Sequence, residues 1–201
     1  MTLADAFLAR GCQRDDAERR AALVARTVEG LRADVLVTSG GISVGDHDLV
    51  HAQLESLGAR TIVRGVALRP GKPTTFAVTD ACRIFGLPGN PASSLVAFAL
   101  FVHPLVRRLA GVQGDPRLPR RRVRLTAPAM GAGRRDHYVR ARSLPEDAAE
   151  PLPKQLSGDL CSIAGADLLL AIPAGVAELP AGATTHALVL DPGSAEQPAR
   201  S

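Results

Sequence analysis

The chain has 201 residues, of which 46% are hydrophobic, so it can bury a core of its own and is not disordered as a whole. Aromatic residues make up 3%, with no Trp and Tyr138 as the single Tyr, which excludes a base-stacking surface of the kind single-stranded nucleic acid requires. The formal charge of +4 is carried almost entirely by arginine and fits a protein that handles anions, but a run such as PRRRVR (119–124) reads as solvated surface rather than a nucleic-acid patch. Cys12, Cys82 and Cys161 fall in no metal-binding spacing and suggest a reducing compartment. The most apolar segment, ASSLVAFALFVHPLV, reads as too short to cross a bilayer. With no leader-like start, a cytoplasmic protein without a membrane partner is expected.

In chain order, RDDAERRAALVARTVEGLRA predicts a helix capped by Asp15 or Asp16. DVLVT, apolar on both faces, predicts a covered strand. It runs into TSGGISVGDHD, after which Val50, Leu54 and Leu57 line a second helix that stops at Gly58. RTIVRGVAL, TTFAV and RIFGL predict further strands, with RPGKP between the first two. PGNP then opens a long helix to Gly111, bent at Pro104. This alternation predicts an α/β fold on a truncated, open, mostly parallel sheet over residues 1–111. A Pro- and Gly-bearing linker follows at 112–120. Short extended pieces such as RRVRLTAP and ADLLLAIP predict a small β-barrel-like domain over 121–192, with 193–201 as a disordered tail.

Three loops carry candidate chemistry. In TSGGISVGDHD, the backbone N–H groups of Ser39, Gly40 and Gly41 and the hydroxyl of Ser43 can converge on an anion, since glycine tolerates positive φ. Asp46 and Asp48 would repel bare phosphate, so they make sense as ligands of a Mg²⁺ ion that bridges carboxylate and phosphate. The bland reading is a turn whose aspartates cap the next helix. In LPGNPASS, Pro88 and Gly89 lead to Asn90 as N-cap with Ser93 in the first turn, which is either an anion-binding helix start or an ordinary capped helix. RPGKP projects Arg69 and Lys72 from a turn stiffened by two prolines. Together they imply a crevice for a phosphorylated or nucleotide-like small molecule with Mg²⁺.

VTSGGISVGDHD, VALRPGKPTTFAV and IFGLPGNPASSLVAFALFVHPLVRRLAG, in this order, resemble the molybdopterin molybdenumtransferases, the bacterial MoeA and gephyrin E-domain group. RRDHYVRAR and LSGDLCSIAGADLLLAIP resemble the C-terminal domain of that family. The resemblance implies a Mg²⁺-dependent enzyme that takes adenylylated molybdopterin and molybdate and yields molybdenum cofactor and AMP. It gives Asp48 a place at the metal and phosphates, Asp15 a functional role, and Arg69 and Lys72 the basic turn. It also puts Arg140 and Ser157 at the same cleft. It implies a homodimer for the full-length family; for the N-terminal domains and the first strand expected from the family, the sources are a separate chain or a misassigned start. The alternative is a truncated, non-catalytic module that binds molybdopterin or a nucleotide, or an inactive remnant. A stand-alone adenylyltransferase of similar α/β fold is disfavoured by the β region after Gly111.

Overall fold

The computed structural model describes residues 22, 24–40, 54–153, 155 and 163–190. They separate into two compact units. The residues up to Arg64 together with Thr75–Gly86 form the first, and Gly65–Thr74 with the residues from Leu87 onward form the second.

In the first unit, helix α1 (24–30) precedes β1 (Val35–Ser39). A helical turn at 54–56 leads to β2 (Arg60–Arg64). After an excursion into the second unit, the chain returns as β4 (Thr75–Val78) and β5 (Arg83–Leu87). The sheet order is β1-β5-β4-β2, with β4 antiparallel to both β2 and β5. The expectation of an open, mostly parallel sheet is therefore corrected to a mixed one. The reason lies in the connections. A parallel neighbour needs a crossover of about a dozen residues or more, whereas β4 and β5 are joined by Thr79–Cys82 alone. That turn is closed by Thr79 N–H on the Cys82 carbonyl and by Cys82 N–H on the Thr79 hydroxyl. Leu54, Ala59, Ala77, Cys82 and Ile84 form the core, with Leu31 and Leu36 packed against it. Val28, Val37 and Ile62 each stand more than two-fifths exposed, so apolar surface remains uncovered on the helix and on both outer strands.

The second unit begins with β3 (Leu68–Arg69) and resumes at α2 (Pro91–Ala97). Asn90 caps α2, with its Oδ1 accepting from Ser93 N–H, and Pro91 sits in the first turn. The helix widens to a π turn over Phe98–Val102, where His103 N–H donates to the Phe98 carbonyl, and continues as α3 (His103–Leu109). Pro104 has no N–H and its ring would strike the carbonyl four residues back, so a wider turn just before it relieves both problems. The 19-residue run Pro91–Leu109 is long and apolar enough to pass for a membrane span by length and composition, which corrects the expectation that it is too short. Its Val96 and Ala99, however, are buried against the β domain as in a core helix.

That domain contains β6 (Arg120–Leu125), β7 (Ala129–Met130), β8 (Asp136–Ser143), β9 (Ala148–Pro151), β10 (Leu168–Ile172), β11 (Glu178–Leu179) and β12 (Thr184–Val189). The order β10-β12-β6-β9-β8 closes through a β8–β10 pairing, and β3 pairs with the first residues of β8. Alternation along the strands separates two faces. Val139 and Ala141 of β8, Leu168, Leu170 and Ile172 of β10, and Val123 and Leu125 of β6 fill the barrel interior. The residues between them, Tyr138, Leu169 and Leu188, meet the helix through Val96, Ala99, Leu100 and Phe101. Leu170 is fully buried at the centre of the interior cluster. Leu170→Ala should cost about 3 kcal/mol of stability, read as a lowered midpoint in chemical denaturation.

Candidate functional site

The basic turn is built from its own backbone bonds. Gly65 N–H donates to the Thr74 carbonyl at 3.0 Å, Val66 N–H to the Lys72 carbonyl at 2.9 Å, and the Thr74 N–H and hydroxyl both to the Gly71 carbonyl. Gly71 has φ +120°, a region L side chains rarely adopt, and a Cβ there would lie 3.1 Å from a methyl of Leu68. The Arg69–Pro70 peptide is cis. Leu68 is buried in the cluster under the helix, and because neighbours on a strand face opposite ways, Arg69 is directed to the other side. There it is the register partner of His137 in the parallel β3–β8 pair. Lys72 is exposed on the same turn.

Arg69 and His137 share a cavity of about 540 Å³. This is within the roughly 300–1,000 Å³ of small-molecule sites. Pro128, Val139, Pro151 and Pro153 give it apolar walls, while Glu150 and Gln155 add polar groups. His137 is 6% exposed and its Nδ1 lies 2.7 Å from the Met130 carbonyl. A carbonyl can only accept, so Nδ1 carries the proton and Nε2 keeps its lone pair. Burial holds the His137 pKa below its ordinary value, and the charges of Arg69, Arg135 and Arg140 push the same way against the Met130 hydrogen bond.

Arg140 stands three residues further along β8, on the opposite face from His137 and opposite Leu169, and its side chain is buried. Its backbone is held by Gln155, whose amide accepts from Arg140 N–H at 3.1 Å and donates to the Arg140 carbonyl at 2.9 Å. Arg69 and Arg140 thus flank one strand from different sides. At the start of α2, Asn90 and Ser93 are tied to each other, Ser94 donates to the Pro88 carbonyl, and Gly89 is exposed. Ser39 ends β1 and Gly40 follows it at φ +80°, both in the first unit. Asp15, Gly41, Ser43, Asp46, Asp48 and Ser157 lie outside the described residues. Among the described residues no group of three His, Cys, Asp or Glu could hold a metal ion.

Sequence reasoning missed His137 and Gln155. The signal for His137 was present: in DHYVRA it occupies the phase of Val139 and Ala141, an imidazole at an interior position of an alternating strand. A satisfied core histidine gives the same pattern, and only the cavity separates the two.

Residues 8–108 match the family model described as a probable molybdopterin binding domain, and residues 122–190 match the MoeA C-terminal region (domain IV). A molybdopterin molybdenumtransferase of a Nostoc species is 37% identical over 150 residues, covering 71% of this chain and 34% of the relative. The enzyme of the same name from Staphylococcus aureus is 30% identical over 189 residues, covering 92% of this chain and 44% of the relative. A crystal structure of the molybdopterin biosynthesis moea protein from Pyrococcus horikosii superposes with a TM-score of 0.69 at 33% identity, covering 85% of this chain and 40% of that one. The chain spans less than half the length of each of these proteins.

The His137 environment sets a pH dependence of stability. Above its ordinary value of 6.5 the imidazole is neutral folded and unfolded, so it contributes no pH dependence there. As pH falls through that value the unfolded chain takes the proton first, and stability is lost until the depressed folded value is passed. Thermal midpoints followed by circular dichroism should therefore fall between about pH 7.5 and pH 5, and fall less in His137→Asn. His103, lowered by burial and then by Arg107, retains part of the slope.

Proposed function

We propose that this chain, which belongs to the MoeA family of molybdopterin-binding proteins, carries the substrate-binding part of a molybdopterin molybdenumtransferase acting in molybdenum cofactor biosynthesis. The observation that carries the reading is the placement of Arg69, from the basic turn, in a ligand-sized cavity of the domain IV barrel. A guanidinium presents a planar fork of donors that suits phosphate or another oxyanion, and the internally bonded turn holds it in place.

The substrates of the reading are adenylylated molybdopterin and molybdate, and the products are molybdenum cofactor and AMP. Arg69 and Lys72 supply fixed positive charge toward the pterin phosphate or molybdate, so part of the substrate's charge is neutralised before the phosphoanhydride to AMP is broken, while the buried Arg140 adds its charge from the opposite face of β8. Ser39, Gly40, Gly41 and Ser43 belong to the reading as donors to the phosphates, with Asp15 and Ser157 as further functional residues and Asn90 and Ser93 at the α2 start. Mg²⁺ enters only through Asp46 and Asp48, where a bound ion would offset phosphate charge. A homodimer, or a second chain bringing further domains, completes the site. A second reading, binding of molybdopterin or a nucleotide without turnover, is favoured by one observation, that relatives of the same type are more than twice as long as the matched region.

The purified chain should release AMP from adenylylated molybdopterin in the presence of molybdate and Mg²⁺, followed by chromatography. Asp48→Asn should abolish metal-dependent release while leaving the circular dichroism spectrum unchanged. Absence of release alongside retained binding of the substrate selects the second reading, and unchanged release in Asp48→Asn removes that residue from the mechanism.

A further inference from the structure

The cavity contains a group for which the binding of an anion gives no role. Arg69 and His137 are side-by-side register partners, and both line the same space. Among the described residues His137 makes one side-chain hydrogen bond, from Nδ1 to the Met130 carbonyl, which leaves Nε2 as an acceptor. A structural histidine would be satisfied by its surroundings at both nitrogens or would turn an apolar edge to the core.

The charges around the ring decide what can sit against it. Arg140 is on the same strand as His137 and Arg135 lies just before it, on β3 there is Arg69, and on β9 Glu150 lines the same cavity. Three cations outweigh one carboxylate, and burial acts in the same direction, so the ring stays neutral at physiological pH. A neutral imidazole with Nδ1 already protonated offers a lone pair at Nε2. A fully deprotonated oxyanion such as molybdate would bring only further lone pairs to that position.

We propose that His137 is a specificity-determining residue of this cavity, whose Nε2 accepts a hydrogen bond from an N–H or O–H of a ligand that places its anionic group on Arg69. The chemical class is a phosphate monoester attached to a donor-bearing body, and an N–H heterocycle suits the apolar, proline-lined walls. The inference rests on the reading of this unit as part of a substrate site, and it assigns the Arg69 end of the cavity to the organic phosphate in preference to the free oxyanion.

The two ring nitrogens can be tested separately. In His137→Asn the short amide can still donate to the Met130 carbonyl but places nothing at Nε2, whereas in His137→Gln the longer side chain can bring a carbonyl oxygen to the Nε2 position. The full chain is titrated with a pterin bearing a methyl-linked phosphate monoester, with ribose phosphate and with molybdate, by pterin fluorescence and by calorimetry, and each variant's thermal midpoint is recorded. We expect His137→Asn to weaken the phosphopterin about tenfold, His137→Gln to remain within about threefold of the parent, and molybdate binding to be unchanged in both. Equal affinities of the Asn and Gln variants for the phosphopterin, at matched thermal midpoints, overturn the role of His137 and leave the molybdopterin reading intact. Ribose phosphate binding that depends on His137, with no binding of the phosphopterin, upholds the Nε2 contact and removes the molybdopterin reading. Binding of neither phosphate by the parent chain overturns the proposal.

Discussion

The candidate site depends on one short piece of backbone, the two-residue strand Leu68–Arg69 laid parallel against β8. Leu68 is buried among Val96, Ala99, Leu169 and Leu188, so the hydrophobic effect fixes which way the strand faces. With that face fixed, the two-residue period of a strand leaves Arg69 a single side, where His137 is its register partner. A single-residue slip would turn Arg69 toward the apolar cluster and Leu68 toward the cavity. The bonds from Gly65, Val66 and Thr74 that close the turn on itself therefore position a charge as well as satisfying backbone groups.

Much of this was legible in the sequence. TFAV and RIFGL lie within segments read as strands, β1 covers all but the first residue of DVLVT and runs on to Ser39, and PGNP opens a helix with Asn90 as its cap. Strand direction was not read correctly, because apolar content on both faces suggests a parallel sheet, whereas the four residues between Val78 and Arg83 allow only an antiparallel return. The long helix was expected to yield at Pro104. Its accommodation as a π turn ending at Val102 follows from hydrogen-bond geometry that periodicity does not carry.

The site was legible in its charges and not in its geometry. Arg69 and Arg140 both read as cations for one anion, yet the β8 alternation puts Arg140 on the face opposite His137, beneath the helix. Position along a strand carries this information only once register is known, and the register between β3 and β8 joins residues some 68 positions apart, as Arg69 and His137 show. His137 escaped notice for a related reason. Its phase is that of a core residue, and what makes it a candidate for contact with a ligand is empty space beside it, which a sequence does not encode locally.

The tautomer of His137 connects the cavity to a part of the unit that otherwise has no share in the site. Met130, whose carbonyl takes the Nδ1 proton, is exposed as a side chain and belongs to β7, which pairs with β11 in a two-stranded ribbon. The ribbon has little freedom next to that residue. Gly131 donates to the Ala177 carbonyl at 2.8 Å, and a Cβ at Gly131 would lie 1.8 Å from the Val176 carbonyl oxygen, so glycine alone permits the approach. The following turn is held by Gly175 N–H on the Gly133 carbonyl and by the Asp136 carboxylate, which accepts from Ala174 N–H. These contacts fix the Met130 carbonyl by backbone geometry rather than by a rotatable side chain. A carbonyl cannot exchange roles as a hydroxyl can, so the proton stays on Nδ1 and the lone pair on Nε2 while the ring is neutral. The ribbon therefore acts as the orienting partner of the imidazole, in the way a carbonyl behind a ligand-binding histidine fixes its tautomer.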